Sequence, residues 1–485
     1  MITLLLSIVA LILGYLIYGK VVEKVFCPNP SLQTPAYSKT DGIDYLPMPT
    51  WKVFMIHLLN IAGTGPIFGA IMGALFGPSC YLWIVLGCIF GGAVHDYMTG
   101  MLSVRGGGVV VSDVVGNVLG KGAKNVMLVF SVVMLMLVGA VFVYSPALIL
   151  GDMVGGETDT TFIWVVVILI YYIVATLVPI DKIIGKIYPL FAFVLLFMAV
   201  ALLGCLIVKW PAGVPELWDG LANRSPKSGS IFPCLFITIA CGAVSGFHAT
   251  QSPLMARCIQ NEKYGRPVFY GAMITEGIVA LIWAAVGSYF FYASPTPGYQ
   301  EMEVATGYAT AAPKIVALVT QDWLGLLGGI LAVMGVIVAP ITTGDTALRS
   351  ARLIVADWLK IDQRQKAKRL YISIPIFLFS LLLLLWQIEN PEGFNVIWQY
   401  FGWGNQVLSV IGLWTITVYL AGENKCYWVT LLPAMFMTCV CITFLCVSKQ
   451  AFAIDYTIGC IAGVTAMAAT TILFFTHLAK KRAIK

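Results

Sequence analysis

Charge is scarce in this chain: 11% of its 485 residues are Asp, Glu, Lys or Arg, against 59% hydrophobic. A soluble domain carries about 25% charged residues, so the shortage excludes an ordinary water-soluble globule. It implies a polytopic membrane protein, and the mean hydropathy of +0.90 agrees. The formal net charge is +6, but the basic residues sit in the loops and form no continuous patch, so no nucleic-acid partner is expected. Catalytic signatures are missing as well: the chain has no H-E-x-x-H, no G-x-S-x-G and no G-x-x-x-x-G-K-[ST]. Arg105 to Gly108 is no phosphate loop, because neither a following Lys-Ser/Thr nor a preceding strand accompanies it. An enzyme is therefore not expected, nor is a cofactor. C-x-x-C spacing is absent from the twelve cysteines, which lie mostly inside apolar runs and read as small buried hydrophobes. The run from 2 to 19 has neither a basic n-region nor an A-x-A cleavage site and reads as a retained membrane helix.

What the chain has in abundance is apolar windows of about 20 residues, the length that spans roughly 30 Å of hydrocarbon. Thirteen are predicted, near 2–19, 52–76, 80–103, 125–149, 161–180, 187–209, 231–256, 267–293, 325–348, 370–387, 396–420, 427–447 and 455–477. With the amino terminus outside and the carboxyl terminus cytoplasmic, 24 of the 29 basic residues fall on the inner side, seven of them in 349–369. The predicted organisation is an all-α bundle: a peripheral helix (1–20), a cytoplasmic connector (21–50), a first five-helix unit (51–210), a second (231–420) and two further helices (427–478). Because five is odd, the second unit enters the membrane with opposite topology, an inverted repeat of the kind common in secondary transporters. Residues 104–124 read as an amphipathic segment against the inner face, and 294–322 as a proline-rich, acidic outer loop.

Two spans are interrupted. Asn60-Ile-Ala-Gly-Thr-Gly-Pro66 breaks the first helix of the first unit, and Gly242, Ser245, Gly246, His248, Gln251 and Pro253 crowd into the first helix of the second. Lipid cannot hydrogen-bond a broken backbone, so both breaks are expected to face protein or a wet cavity. Interrupted helices at matching places in two halves predict a transporter binding site. A helix that restarts after Gly63, Thr64 and Gly65 aims free amides and a positive dipole end into that site, which suits a carboxylate.

Ionisable groups inside the spans are costly and therefore candidates for function. His248 sits in the second break and could bind substrate or titrate; Glu276 lies deep in its helix and is a candidate proton carrier or a buried hydrogen-bonded carboxyl. His95 and Asp96, with Arg105 beyond them, are candidate gating residues or an interfacial charge cluster. In Ala339-Pro-Ile-Thr-Thr-Gly-Asp-Thr346 two hydroxyls, on Thr342 and Thr343, and the Asp345 carboxylate suit a hard monovalent cation or a proton. Threonines back-bonding to their own helix would account for them equally.

Two resemblances follow from these motifs. Asn60-x-x-Gly63-x-Gly65 and Ala339-x-x-Thr342-Thr343 are similar to the unwound first helix and the sodium site of the LeuT-type amino acid/polyamine/cation transporter fold. That resemblance implies a substrate carboxylate on the amides of Thr64 and Gly65. It also implies a Na⁺-like site formed by the carbonyls of Leu59, Ala62 and Ala339 with the hydroxyls of Thr342 and Thr343. Over most of its length the chain resembles the carbon-starvation protein A (CstA) family, through Asp44-Tyr-Leu-Pro47, Asn60 to Ile67, Phe90-Gly-Gly-Ala-Val-His-Asp-Tyr97, Ser103 to Gly108 and Ser245-Gly-Phe-His-Ala-Thr-Gln-Ser-Pro253. The family implies uptake of pyruvate or small peptides across the bacterial inner membrane under nutrient limitation, driven by an ion gradient of Na⁺ or H⁺. The expected function is thus ion-coupled import by alternating access, with a channel or nutrient receptor as the alternative. Gly63, Thr64, Gly65, Ser245, Gly246, Phe247, His248 and Gln251 are the expected substrate contacts, and Asp345, Glu276 and His248 the proton-coupling candidates. The resemblance also implies that longer members of that family have additional helices not expected in this chain, so their substrate is not carried over from them.

Overall fold

The computed structural model describes residues 1–42, 44–154, 160–177, 180–210, 214–224, 229–292, 308–361, 363, 365–390 and 393–484, and these are helical throughout apart from connecting segments. In order the helices are α1 (Ile2–Phe26), α2 (Thr50–Ile61) and α3 (Gly65–Phe76), α4 (Ser79–Arg105), α5 (Val111–Leu119), α6 (Lys121–Val154), α7 (Thr161–Leu177) and α8 (Ile180–Lys209). There follow α9 (Phe247–Ala256), α10 (Glu262–Tyr292), α11 (Tyr308–Leu359), α12 (Lys366–Glu389), α13 (Gly393–Gly422), α14 (Trp428–Val447) and α15 (Tyr456–Ile484). Nine helices among the described residues are long and apolar enough to cross a membrane, and α2 with α3, bent by 59°, make a tenth. The three remaining expected spans coincide with α7, with the broken segment leading into α9, and with α11. Gly325 (φ 61°) interrupts α11, a backbone setting that a side chain would disfavour.

Burial sorts the helices. In α10, 89% of the most apolar window is buried, against 17% in α15, so α10 runs through the middle of the bundle and α15 along its edge. Large exposed side chains such as Ile458, Ile461, Ile472 and Leu473 cover the outer face of α15, as a lipid-facing surface requires. α1 packs on α4 and α10, while α6 and α11 form the most extensive helix pair. The short α5 is amphipathic as expected, burying Val111, Ser112, Val114 and Val115.

Two expectations change. The stretch 349–369 was expected as a loop, but α11 continues to Leu359 and buries Arg349 and Arg352 at 2% exposure each. Of the expected outer loop 294–322, residues 294–307 lie outside the described residues, and the rest belongs to α11.

Candidate functional site

The first break follows from Gly63, Gly65 and Pro66. Proline offers no N–H to the helix ladder, and its ring disfavours α geometry in the residue before it. The last helical bond of α2 runs from the Ala62 amide to Leu58 O at 2.9 Å, and Gly63 closes a tighter turn onto Ile61 O at 2.9 Å. The chain restarts where the Thr64 carbonyl accepts from the amides of Ile67 and Phe68. As the opening residue of α3, Gly65 presents an amide outside that helix's own ladder. Among the described residues, both polar atoms of the Asn60 amide, the Thr64 hydroxyl and both ring nitrogens of His57 have no hydrogen-bond partner, although all three side chains are fully buried. His57 stands edge-on to Phe269 at 5.1 Å.

The second break is longer. Helix stops at Thr238, Ile239 departs from helical geometry (φ −96°, ψ 77°), and helix resumes at Phe247. Here the freed groups find partners. Trp83 Nε1 donates to Ile239 O at 2.9 Å, and Gln406 Nε2 donates to Phe236 O at 3.2 Å. Asn405 on α13 takes the rest: its Oδ1 accepts from the Phe247 amide at 2.7 Å and from Ser245 Oγ at 3.1 Å, and its main-chain carbonyl accepts from the Gly246 amide at 3.2 Å. This close approach requires glycine, since a Cβ on Gly246 would lie 2.1 Å from the Ser409 nitrogen.

The two breaks meet. A Cβ on Gly65 would stand 2.4 Å from Cys241 Sγ, and one on Gly63 would stand 2.5 Å from the Phe142 ring, which in turn packs edge-on to Phe247 at 6.5 Å. Ala62, Gly63, Thr64, Gly65, Ser245, Gly246, Phe247, His248 and Gln251 are all buried. Gln251 donates through Nε2 to Thr250 Oγ1 at 2.9 Å, while its Oε1 is left without a partner. Asn60, Thr64 and Gln251 therefore keep hydrogen-bonding capacity for a ligand, whereas the hydroxyl of Ser245 is committed to Asn405.

Beside the second break lies a chain of acids and bases. One Asp96 oxygen is 3.0 Å from His95 Nδ1 and the other is 2.6 Å from His248 Nδ1. His248 Nε2 faces Glu276 Oε2 at 3.4 Å. All four side chains are fully buried. Two carboxylates in so dry a place are tolerable only with compensating charge. One imidazolium cancels one negative charge, and a bound proton can cancel the other.

The cation motif also assembles. Thr343 Oγ1 lies 2.9 Å from Leu59 O and 2.8 Å from Ala339 O, linking α11 to the last turn of α2. Thr342 Oγ1 bonds back to Val338 O and Ala339 O, both at 2.9 Å, as threonine in a membrane helix commonly does. A cation held by oxygens at about 2.4 Å in octahedral array keeps neighbouring oxygens roughly 3.4 Å apart, wider than these contacts. Asp345 belongs to a different group: its Oδ2 accepts from Tyr188 Oη at 2.9 Å, and Tyr188 Oη is also 3.3 Å from Thr342 O.

The expected gating trio separates. Nine residues of helix, about 13 Å of rise, divide Asp96 from Arg105. Arg105 instead forks onto Glu262, with Nε and Nη2 each 3.1 Å from a carboxylate oxygen, and its Nη2 donates to Cys27 O at 2.7 Å. Glu262 also accepts from the Asn29 amide at 2.7 Å. The connector is thereby tied across the Lys/Arg-rich end of the bundle. Reading only ionisable groups missed Asn405, Trp83 and Tyr188. The polar spacing Asn405-Gln406-x-x-Ser409 inside an apolar span was the available signal.

Comparison with known proteins agrees with this picture. The chain matches the family of the carbon starvation protein CstA over residues 1–150, 149–323 and 297–444. It is 47% identical over 332 residues to an uncharacterized membrane protein of Haemophilus influenzae, covering 59% of this chain and 90% of that one. It is 25% identical to the peptide transporter CstA of Escherichia coli K12, covering 94% of this chain and 82% of that one. To the pyruvate/proton symporter BtsT of the same organism it is also 25% identical, with 87% and 78% covered. Among solved structures, a manganese transporter of Eremococcus coleocola superposes with a TM-score of 0.55 at 13% identity, covering 91% of this chain and 99% of that one; at that identity the likeness concerns the fold. The two Escherichia coli relatives and this structural neighbour are named as transporters. With matches along nearly all of its length, the chain is a multi-pass membrane protein belonging to the carbon starvation protein CstA family.

Proposed function

We propose that the protein is a proton-coupled secondary transporter that brings a small carboxylate of the pyruvate type, or a small peptide through its carboxylate end, across the bacterial inner membrane by alternating access. The observation that carries this reading is a file of buried groups beside two broken helices that touch: His95, Asp96 and His248 in hydrogen-bond contact, with Glu276 3.4 Å beyond His248 Nε2. A file of this kind can take up and release a proton within the membrane, and the relative named as a pyruvate/proton symporter supports the choice of proton over Na⁺. The tight contacts among Thr343, Leu59 and Ala339 favour it too, with those residues acting as a latch between α2 and α11.

In this scheme the thirteen predicted spans form a LeuT-type inverted repeat, 51–210 and 231–420, with the amino terminus outside and the carboxyl terminus cytoplasmic. The substrate carboxylate docks at the restart of α3, on the amides of Thr64 and Gly65, while Asn60 and Gln251 meet the remaining oxygen. Protonation of Glu276 relieves the negative charge next to His248 and lets the first break close on an anion bound against the second. Release of the proton to the cytoplasm restores that charge and expels the anion.

Uptake of labelled pyruvate and of a labelled dipeptide into proteoliposomes tests the scheme. An inward proton gradient is expected to drive accumulation without Na⁺, and Glu276→Gln is expected to abolish accumulation while sparing exchange of substrate for substrate. Uptake indifferent to both the pH and the Na⁺ gradient would discard coupling altogether.

A further inference from the structure

α11 carries a second polar feature that transport at the breaks leaves unused. Thr342, Asp345, Arg349 and Arg352 recur at helical spacing along one face, leading from the latch with Leu59 toward the Lys/Arg-rich end. Tyr188 bridges the first two of these residues. Arg349 Nη2 donates to Ala175 O at 2.9 Å. Arg352 is different: it is 2% exposed, yet among the described residues its Nε and Nη1 have no hydrogen-bond partner. Its electrostatic neighbours are Arg349, Arg369, Asp44 and Asp345.

Among the described residues the charges acting on Arg352 do not balance. Three guanidiniums gather there, and Arg369, itself 6% exposed, is committed through Nε to Gln363 O at 2.6 Å. Against them stand Asp345, already accepting from Tyr188, and the half-buried Asp44 of the connector. A guanidinium is always charged, and its planar fork matches a carboxylate or a phosphate. Burying one with two idle donor positions is costly unless an anion arrives to use them.

We infer that Arg352, flanked by Arg349 and Arg369, forms an anion site at the inner mouth that receives the carboxylate of the transported solute after it leaves the breaks. The inference rests on the transport reading above, and the stripe from Thr342 to Arg352 supplies the route. Of the two anion chemistries that fit the fork, a carboxylate is favoured because this stripe starts beside Thr343, whose methyl lies 3.3 Å from the Cβ position of Gly63 in the first break.

Exchange in proteoliposomes, with pyruvate varied inside and outside in turn, tests it. Arg352→Gln is expected to raise the internal concentration for half-maximal exchange about tenfold, the loss of one charge-assisted hydrogen bond, with a much smaller change on the outer side. Asp44→Asn removes a competing negative charge from the connector and is expected to lower the same internal value several-fold; it serves also if Arg352→Gln does not reach the membrane. Unchanged internal values in these variants, with wild-type exchange intact, overturn the anion site and leave the transport reading standing. Wild-type vesicles that exchange neither pyruvate nor a dipeptide overturn the transport reading itself. Internal phosphate competing as well as pyruvate, or an effect of Arg352→Gln seen only in vesicles containing anionic lipid, would assign the fork to phosphate and overturn the carboxylate.

Discussion

The two breaks solve one problem in opposite ways. In the second, eight residues leave the helix, and the freed groups are caught by Trp83, Asn405 and Gln406 from neighbouring helices. In the first, three residues leave it, and the side chains around them, His57, Asn60 and Thr64, stay buried and unpaired. A buried polar group without a partner costs about 1–3 kcal/mol, so the braced backbone of the second break serves stability, with Gln251 Oε1 its open atom toward a ligand, while the first break keeps most of the unspent bonding capacity. The first break is thus the place where a ligand gains most, and the second is the fixed wall against which it binds.

The largest expected effect tests how rigid that wall is. In Gly246→Ala the new methyl would meet backbone, 2.1 Å from the Ser409 nitrogen and 2.5 Å from Asn405 O. Backbone packed on backbone cannot yield cheaply, so a loss of about 3 kcal/mol is expected, the upper part of the range for overpacking. Gly65→Ala in the first break meets Cys241, whose Sγ, 2.4 Å away, can turn aside but whose Cβ, 2.5 Å away, is fixed by its backbone, and about 2 kcal/mol is expected there, less than for a clash with backbone itself. Thermal unfolding in detergent measures both, and equal losses would erase the distinction between the breaks. Next comes Asn405→Ala, which strips the acceptor from the Phe247 amide and the Ser245 hydroxyl at once. One buried amide left unpaired costs about 1–3 kcal/mol, and the Ser245 hydroxyl, left with only Cys241 Sγ at 3.7 Å, adds a smaller loss, so about 2–3 kcal/mol is expected, read as a fall in the unfolding midpoint and as faster hydrogen exchange at the Phe247 amide.

How far the chain could be read without coordinates differs between the breaks for the same reason. Glycine, proline and polar residues inside an apolar run disclose that a helix stops, so both interruptions were legible, as was the pairing of Leu59 and Ala339 with Thr343 through the family resemblance. What satisfies the second break was not legible, because Asn405 is uncharged and lies 158 residues from Phe247, its hydrogen-bond partner. Arg105 misled for a geometric reason: it stands near His95 and Asp96 in sequence, but a helix carries it far along the axis, and its partner Glu262 is 157 residues away. Arg349 and Arg352 misled because basic residues at a span's end normally mark a solvated loop. Here the helix runs on and buries them.

The smallest expected effect on stability is the most informative for function. Asn60 has neither amide atom paired, so Asn60→Ala removes a desolvated group that contributes nothing to holding α2 in place. The change in unfolding free energy is expected to stay within about 0.5 kcal/mol of zero, against the several lost in Asn405→Ala. Uptake should respond in the reverse order: if Asn60 meets the substrate, its loss raises KM about tenfold, the worth of one hydrogen bond to a charged ligand. A destabilisation equal to that of Asn405→Ala, with KM unchanged, would mean that Asn60 has a structural partner in the working protein. The first break would then be as fully braced as the second, and the site would have to be sought elsewhere in the bundle.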